Sequence, residues 1–301
     1  MKNVLKYLFT GSILSSFLMM STSCTKNDSQ LDGNSFRLDP NLIPKTFTVI
    51  LTNGGGDYQQ VVLDIQKVEV KEDLDFSHYD DDQFADSDDN ADDYLATSDS
   101  FGVWKPVQFT PKTINVLTLR NGVEIKLGEA VIYNRVRKVR LTLGTENYII
   151  DQNGDKKVLE FANDADKYMY VKLHSTDIDF ISSNEKQILR IDFNADKSII
   201  EDNGRYTLSP SIRPYGLTNF GEIEGIVSPF GIKAKVSIED GLGNILQTTP
   251  EADGSYKIRG LLEGDTYMIT YEAFGYQKQV ITNVSVKAGK ETIMDPITLI
   301  Q

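Results

Sequence analysis

Residues 45–70, KTFTVILTNGGGDYQQVVLDIQKVEV, decide the fold of this chain. Phe47, Val49 and Leu51 alternate with polar neighbours, then a glycine run breaks the pattern, and Leu63 and Ile65 resume it. A period of two puts alternate side chains on opposite faces, so each half reads as a strand with one buried face. Between Ile65 and Val68 the alternation slips by one residue before continuing to Val70, which predicts a β-bulge near Gln66 and Lys67. The three glycines do not read as a phosphate loop. That motif needs Gly-Lys-Ser/Thr opening a helix, whereas Gly56 is followed by Asp57 and Tyr58. A hairpin or turn is the expectation.

Outward from this stretch the same texture continues. Val139, Leu141 and Leu143 alternate, as do Leu189, Ile191 and Phe193, and Tyr168, Tyr170 and Val171 do so less cleanly. Asn121-Gly122, Asn153-Gly154 and Asp202-Asn203-Gly204 punctuate the runs as turns. No window carries a helical stripe. From Gly221 onward the texture changes to five to seven short strands with glycines at the turns and tyrosines for a small core, among them Gly221–Val227, Ala234–Ile238, Asp253–Ile258 and Gly260–Tyr271. The expected fold is all-β, two antiparallel β-sandwich domains in tandem, at 45–216 and 217–301.

The 301 residues carry 31 Lys and Arg against 44 Asp and Glu, a formal charge of −13, and one cysteine. A single cysteine excludes an intramolecular disulfide and a Cys-rich zinc site. The acidity argues against nucleic acid as a partner, because phosphate contacts need clustered cations. Most of the charge is local. Glu72–Asp93 holds eleven carboxylates and no Lys or Arg, and it reads as a solvated acidic insertion at 72–93. Its alternative is a loosely held calcium ion, with Asp86, Asp88, Asp89 and Asp92 as candidate ligands. Asp86, Asp88 and Asn90 have the opening spacing of an EF-hand loop, but Ala91 and Thr97 stand where Gly and Glu belong. The Asp151-Asn153-Asp155 series fails in the same way at Lys156 and Ala162. No other cofactor is implied.

Lys2 and Lys6 precede the uncharged run Tyr7–Met20, which is too short for a bilayer span and has the form of an export signal. Ser21-Thr22-Ser23 then lead into Cys24. This arrangement resembles the lipobox of bacterial lipoproteins of the Bacteroidota type, with Ser21 where Leu is usual. The resemblance implies a signal peptide at 1–23, a lipid on Cys24, a membrane as partner through that anchor, and an outer-membrane address. Residues 24–44 then read as a polar tether.

Two further resemblances cover the rest. Leu51–Tyr58, the strand Val61–Val70, Ile114–Leu119, Ile191–Ile199 and Tyr206–Pro214 together resemble domain-of-unknown-function family 4382, over roughly 46–214. That family typically opens on leucine-threonine-aspartate-alanine-proline-glycine, and Asn53-Gly54-Gly55 departs from it. It brings no established chemistry. Segment 221–301, with Asp253-Gly254-Ser255-Tyr256, Leu262-Glu263-Gly264-Asp265-Thr266-Tyr267 and Gly275-Tyr276, resembles the carboxypeptidase regulatory-like domain. The resemblance implies a transthyretin-like sandwich whose Tyr256, Tyr267 and Tyr276 belong to the core.

Catalytic signatures are missing from the sequence. His78 and His174 have no metal-ligand spacing, no Gly-x-Ser-x-Gly elbow exists, and Cys24 is committed to the anchor. His174 with Asp177 reads as a surface pair. The basic run Arg135–Arg140 reads as a solvated strand edge, with docking of the acidic insertion as its alternative. The functional expectation is a non-enzymatic display or adhesion module. Its first rival is a carbohydrate-binding accessory protein using Tyr94, Phe101 and Trp104. The second is a glycan hydrolase built on two carboxylates, which spacing alone does not exclude. A glycan or another envelope protein is the expected partner.

Overall fold

The computed structural model describes residues 43–73, 102–181 and 185–301. They are built from strands and single helical turns, so the all-β expectation holds. Strands are numbered in chain order.

The two halves of the 45–70 stretch become β1 (Lys45–Gly55) and β2 (Gln60–Glu72), but these strands do not pair with each other. The glycine run is a corner between two sheets, not a hairpin. β1 lies inside a five-stranded sheet ordered β10 (Ile178–Ile181), β11 (Lys186–Asn194), β1 and β5 (Ile125–Ile132), with β14 (Ile212–Tyr215) sharing the β10 edge of β11. The β1/β11 pair is parallel, with Val49 beside Leu189 and Leu51 beside Ile191. β2 is the spine of a nine-stranded sheet, counted among the described residues. On one side it meets β7 (Tyr148–Ile150) and β6 (Val136–Leu143), and on the other β4 (Lys112–Asn115) and β3 (Val103–Pro106). β9 (Tyr168–Lys172) continues the sheet beyond β6, and β8 (Lys156–Phe161), β13 (Arg205–Leu208) and β12 (Ile199–Asp202) continue it beyond β7.

Between these sheets lies the first core. Phe47, Val49, Leu51, Leu189, Ile191 and Phe193 face Leu63, Ile65, Val68, Val70, Val139 and Leu141, all fully buried. The register of β2 against β6 shifts between Ile65 and Lys67, so the expected bulge is present. Without it Val68 and Val70 would turn to solvent, since a one-residue slip exchanges the two faces of a strand.

The second core fills the space between two four-stranded sheets. One contains β18 (Ser255–Leu262), β15 (Phe220–Ser228), β21 (Glu291–Ile293) and β22 (Ile297–Thr298). The other runs β17 (Ile245–Thr248), β16 (Ala234–Glu239), β19 (Thr266–Ala273) and β20 (Gln279–Ser285). Tyr256 and Tyr271 meet edge-on, with ring centroids 5.9 Å apart and hydroxyls 2.7 Å apart. The Tyr267 hydroxyl donates to the Leu262 carbonyl at 3.0 Å. A buried phenol keeps its hydroxyl only where a partner exists, and these rings have one. Tyr276 packs against the same core from its edge.

The glycine corner is where the two cores meet. Gly55 has φ +123°, and a Cβ there would lie 2.9 Å from the Gln247 carbonyl oxygen at the end of β17. A Cβ on Gly56 would lie 2.8 Å from that of Ala195. The run is therefore glycine because another part of the chain passes over it. Beside it, the Asn121 side chain donates to the Thr249 carbonyl and accepts from the Thr248 hydroxyl and the Lys257 N–H. Glu124 accepts from Arg190 and Arg259, both at 2.8 Å, and Arg213 donates to the carbonyls of Gly260 and Arg259.

Candidate functional site

β3, β2, β6 and β9 lie side by side, and one face of them is turned away from the core. Register places Lys71 beside Trp104 and Lys138, and Glu69 beside Arg140, which in turn neighbours Tyr170. The outward face therefore carries aromatic and charged residues, while Val68, Val70, Val139, Leu141, Met169 and Val171 point inward.

Arg140 is the centre of this face. Its guanidinium carbon stands 4.3 Å from the Trp104 ring centroid, 5.5 Å from that of Tyr168 and 6.0 Å from that of Tyr170. Trp104 and Tyr170 are 6.3 Å apart, tilted by 55°. A guanidinium over several rings is held by their quadrupoles, and its planar edge remains available for hydrogen bonds. Nε and Nη2 donate to Glu69 at 3.0 and 2.7 Å, and Lys67 approaches the other Glu69 oxygen at 2.6 Å. Burial works against the charge on Glu69, yet the hydrogen bonds from Lys67 and Arg140 outweigh it and hold the carboxyl below its usual range. A carboxylate so paired stays ionised at neutral pH and has no proton to deliver. Tyr170, half exposed, and Trp104, partly so, present their rings outward.

Of the ligand candidates read from the sequence, Trp104 alone falls among the described residues; Tyr94 and Phe101 lie outside them, as do Cys24 and the calcium candidates Asp86, Asp88, Asp89 and Asp92. The structure gives Trp104 different company, Arg140, Tyr168 and Tyr170. Those tyrosines were legible only as strand residues, and nothing in their spacing announces the distant tryptophan. Of the basic run, Arg137 pairs with Asp73, the first described residue of the acidic insertion after β2, at 2.7 Å. Arg140 instead pairs with Glu69.

The remaining chemical candidates resolve simply. Asp151 Oδ1 accepts from the N–H groups of Asn153 and Asp155, closing the Asn153-Gly154 turn between β7 and β8. The Lys157 ammonium stands 3.2 Å from Asp155 and 3.8 Å from Asp151, where a calcium ion would have been. His174 Nδ1 and Asp177 Oδ2 are 3.4 Å apart, with the histidine largely exposed. Among the described residues no group of three His, Cys, Asp or Glu is placed to hold a metal ion, and no helix is long and apolar enough to cross a membrane.

Stacked sheets around two apolar cores, with an aromatic and cationic face turned outward, define the class of this protein. The chain belongs to the family described as Domain of unknown function (DUF4382), whose model matches residues 45–210. The resemblance read over 46–214 is thereby confirmed over nearly its whole span. No curated protein matches the chain. Among solved structures it is similar to the Bacillus anthracis TIE protein, at 10% identity and a TM-score of 0.22, with 86% of this chain covered. It spans only 35% of the TIE chain. It is also similar to a C-terminal fragment of the pilus adhesin SpaC from Lactobacillus rhamnosus GG, at 9% identity, TM-score 0.21, and 85% and 97% coverage of the two chains. BcpA, the major pilin subunit of Bacillus cereus, gives 11% identity, TM-score 0.21, and 86% and 70% coverage.

Proposed function

We propose that this chain is a non-catalytic binding and display protein of the cell envelope, held at an outer membrane by a lipid on Cys24. Its contact surface is the face formed by Trp104, Arg140, Tyr168 and Tyr170. One observation carries the reading: the carboxylate on that face, Glu69, is nearly buried and engaged by two cations, so it holds Arg140 in place and carries no proton to donate. Residues 217–301 act as a transthyretin-like module that supports the first.

A carbohydrate is the ligand this surface suits best among the expected partners. Aromatic rings on the sheet accept the apolar face of a pyranose, and the partly exposed Arg140 guanidinium supplies planar donors for its hydroxyls. The test has two parts. Cys24→Ser should move the protein from the membrane to the soluble fraction, and the wild-type N-terminal peptide should carry a lipid mass. Unchanged fractionation with no lipid mass would remove the anchor from the proposal. On an array of neutral glycans, Trp104→Ala and Tyr170→Ala should abolish the binding the wild type shows. Binding indifferent to both would remove the contact surface.

A further inference from the structure

Beside the glycine corner a cleft of about 470 Å³ opens between the two cores. That volume lies within the roughly 300–1,000 Å³ of small-molecule sites. Its walls come from segments far apart in sequence: the corner residues Asp57, Tyr58 and Gln59, Arg120, the β7–β8 turn, the Ala195–Ser198 helical turn, and the start of β16 with the end of β17. Neither core has the cleft by itself.

Its polar groups are unevenly satisfied. Asp196 accepts from the Asp57 N–H at 2.8 Å and stands 3.4 Å from the Lys235 ammonium. Asp57 accepts from the Gln152 amide at 3.1 Å. Both carboxylates are thus engaged. Lys233 has only the Gln152 amide oxygen, at 2.9 Å, with no carboxylate in reach among the described residues. Arg120 has no ion-pair partner among the described residues, and its Nε is buried without any hydrogen-bond acceptor. Arg120 lines the cleft, so an anion entering it would supply the charged partner this side chain lacks. Around these cations the wall is amide and hydroxyl: Gln59, Gln247 and Thr249, with the half-buried Tyr58 ring beside them.

We propose that this cleft binds a sugar acid of monosaccharide size, with its carboxylate on Arg120 and Lys233 and its hydroxyls on the glutamine and threonine side chains. Cations alone would suit any small anion, and amides alone any sugar. Their convergence on one cavity with an aromatic wall selects a polyhydroxylated anion. Burial, and then the nearby Asp196, push the Tyr58 hydroxyl up to about 12, so it remains a neutral donor at the edge of the site. This site shares no residue with the Trp104 face.

The test titrates the purified full chain, by NMR or calorimetry, with glucuronate, glucose and inorganic phosphate. With the contact face removed by Trp104→Ala, glucuronate should bind, glucose should not at equal concentration, and phosphate should compete with glucuronate. Arg120→Gln and Lys233→Gln should each weaken glucuronate by about tenfold or more, the loss of one charge-assisted contact. Lys233 is exposed, so its variant keeps the fold even if Arg120→Gln does not. Trp104→Ala should leave glucuronate binding unchanged, which separates this site from the proposed contact face. No glucuronate binding at millimolar concentration overturns the proposal. So does glucose binding as well as glucuronate, binding unaffected by Lys233→Gln, or binding lost in Trp104→Ala.

Discussion

Removing the Asn121 side chain should weaken the joint between the two cores by an amount that can be worked from its bonds. Nδ2 donates to the Thr249 carbonyl at 3.1 Å and to Glu251 at 2.6 Å, and Oδ1 accepts from the Thr248 hydroxyl at 2.9 Å and the Lys257 N–H at 3.2 Å. The Glu251 bond is exposed and contributes little. The other three contribute about 1 kcal/mol each, since a typical intramolecular hydrogen bond nets that much. Asn121 also sits at φ +53°, where asparagine is tolerated and alanine costs a further ~1 kcal/mol. Asn121→Ala should therefore cost about 4 kcal/mol and Asn121→Gly about 3 kcal/mol, because glycine sheds the bonds but not the backbone conformation. At about 2–4 °C per kcal/mol for a folded region of this size, the alanine variant should melt roughly 8–16 °C lower. Scanning calorimetry reads both the shift and any splitting of one transition into two. A loss under about 1 kcal/mol for alanine, or glycine worse than alanine, would refute the reasoning.

The Tyr256–Tyr271 hydroxyl pair should show strong non-additivity. Tyr256→Phe should cost about 1–2 kcal/mol by stranding its partner, and adding Tyr271→Phe should cost little more in denaturant titrations. Tyr58, Tyr215 and Tyr267 are each pushed up to about 12, chiefly by burial. Their folded-state values exceed the unfolded one, so the stability they contribute is intact below pH ~10 and is lost as pH rises through about 12. Phenolate absorbance already complete near pH 10 with the fold intact would contradict their burial. Excising Asp75–Asp92 should leave the melting temperature within a few degrees, because Glu72 and Val103, on either side of the segment, are direct partners in the β2/β3 register. Millimolar calcium should raise wild-type stability only slightly. A calcium-dependent rise above about ten degrees, abolished by the excision, would instead reveal a specific metal site.

Much of the fold was legible because its signals are local. Alternation at Phe47, Val49 and Leu51, the phase slip before Val68, and the Asn153-Gly154 turn each concern residues a few positions apart, where side-chain direction and φ preference act directly. The same local signals misread the glycine run. They register that Gly54–Gly56 interrupts a strand. They are silent on whether the next strand returns to the same sheet or crosses to another, and the close approach of β17 to Gly55 and of Ala195 to Gly56 is what explains the glycines.

The candidate site shows the same division. Trp104 was legible as a ligand candidate alongside Tyr94 and Phe101, but Arg140, Tyr168 and Tyr170 join it only through the order β3-β2-β6-β9. Asn121 read as a turn residue and became a tertiary bridge. Strand identity, buried face, bulge and turn are thus determined by the sequence itself, because they follow from the geometry of adjacent residues. Which strands pair, as in the parallel β1/β11 contact, and which side chains share a surface were decided by the tertiary structure alone. These depend on apolar faces from distant segments closing over a common core, and no short window of sequence contains both partners.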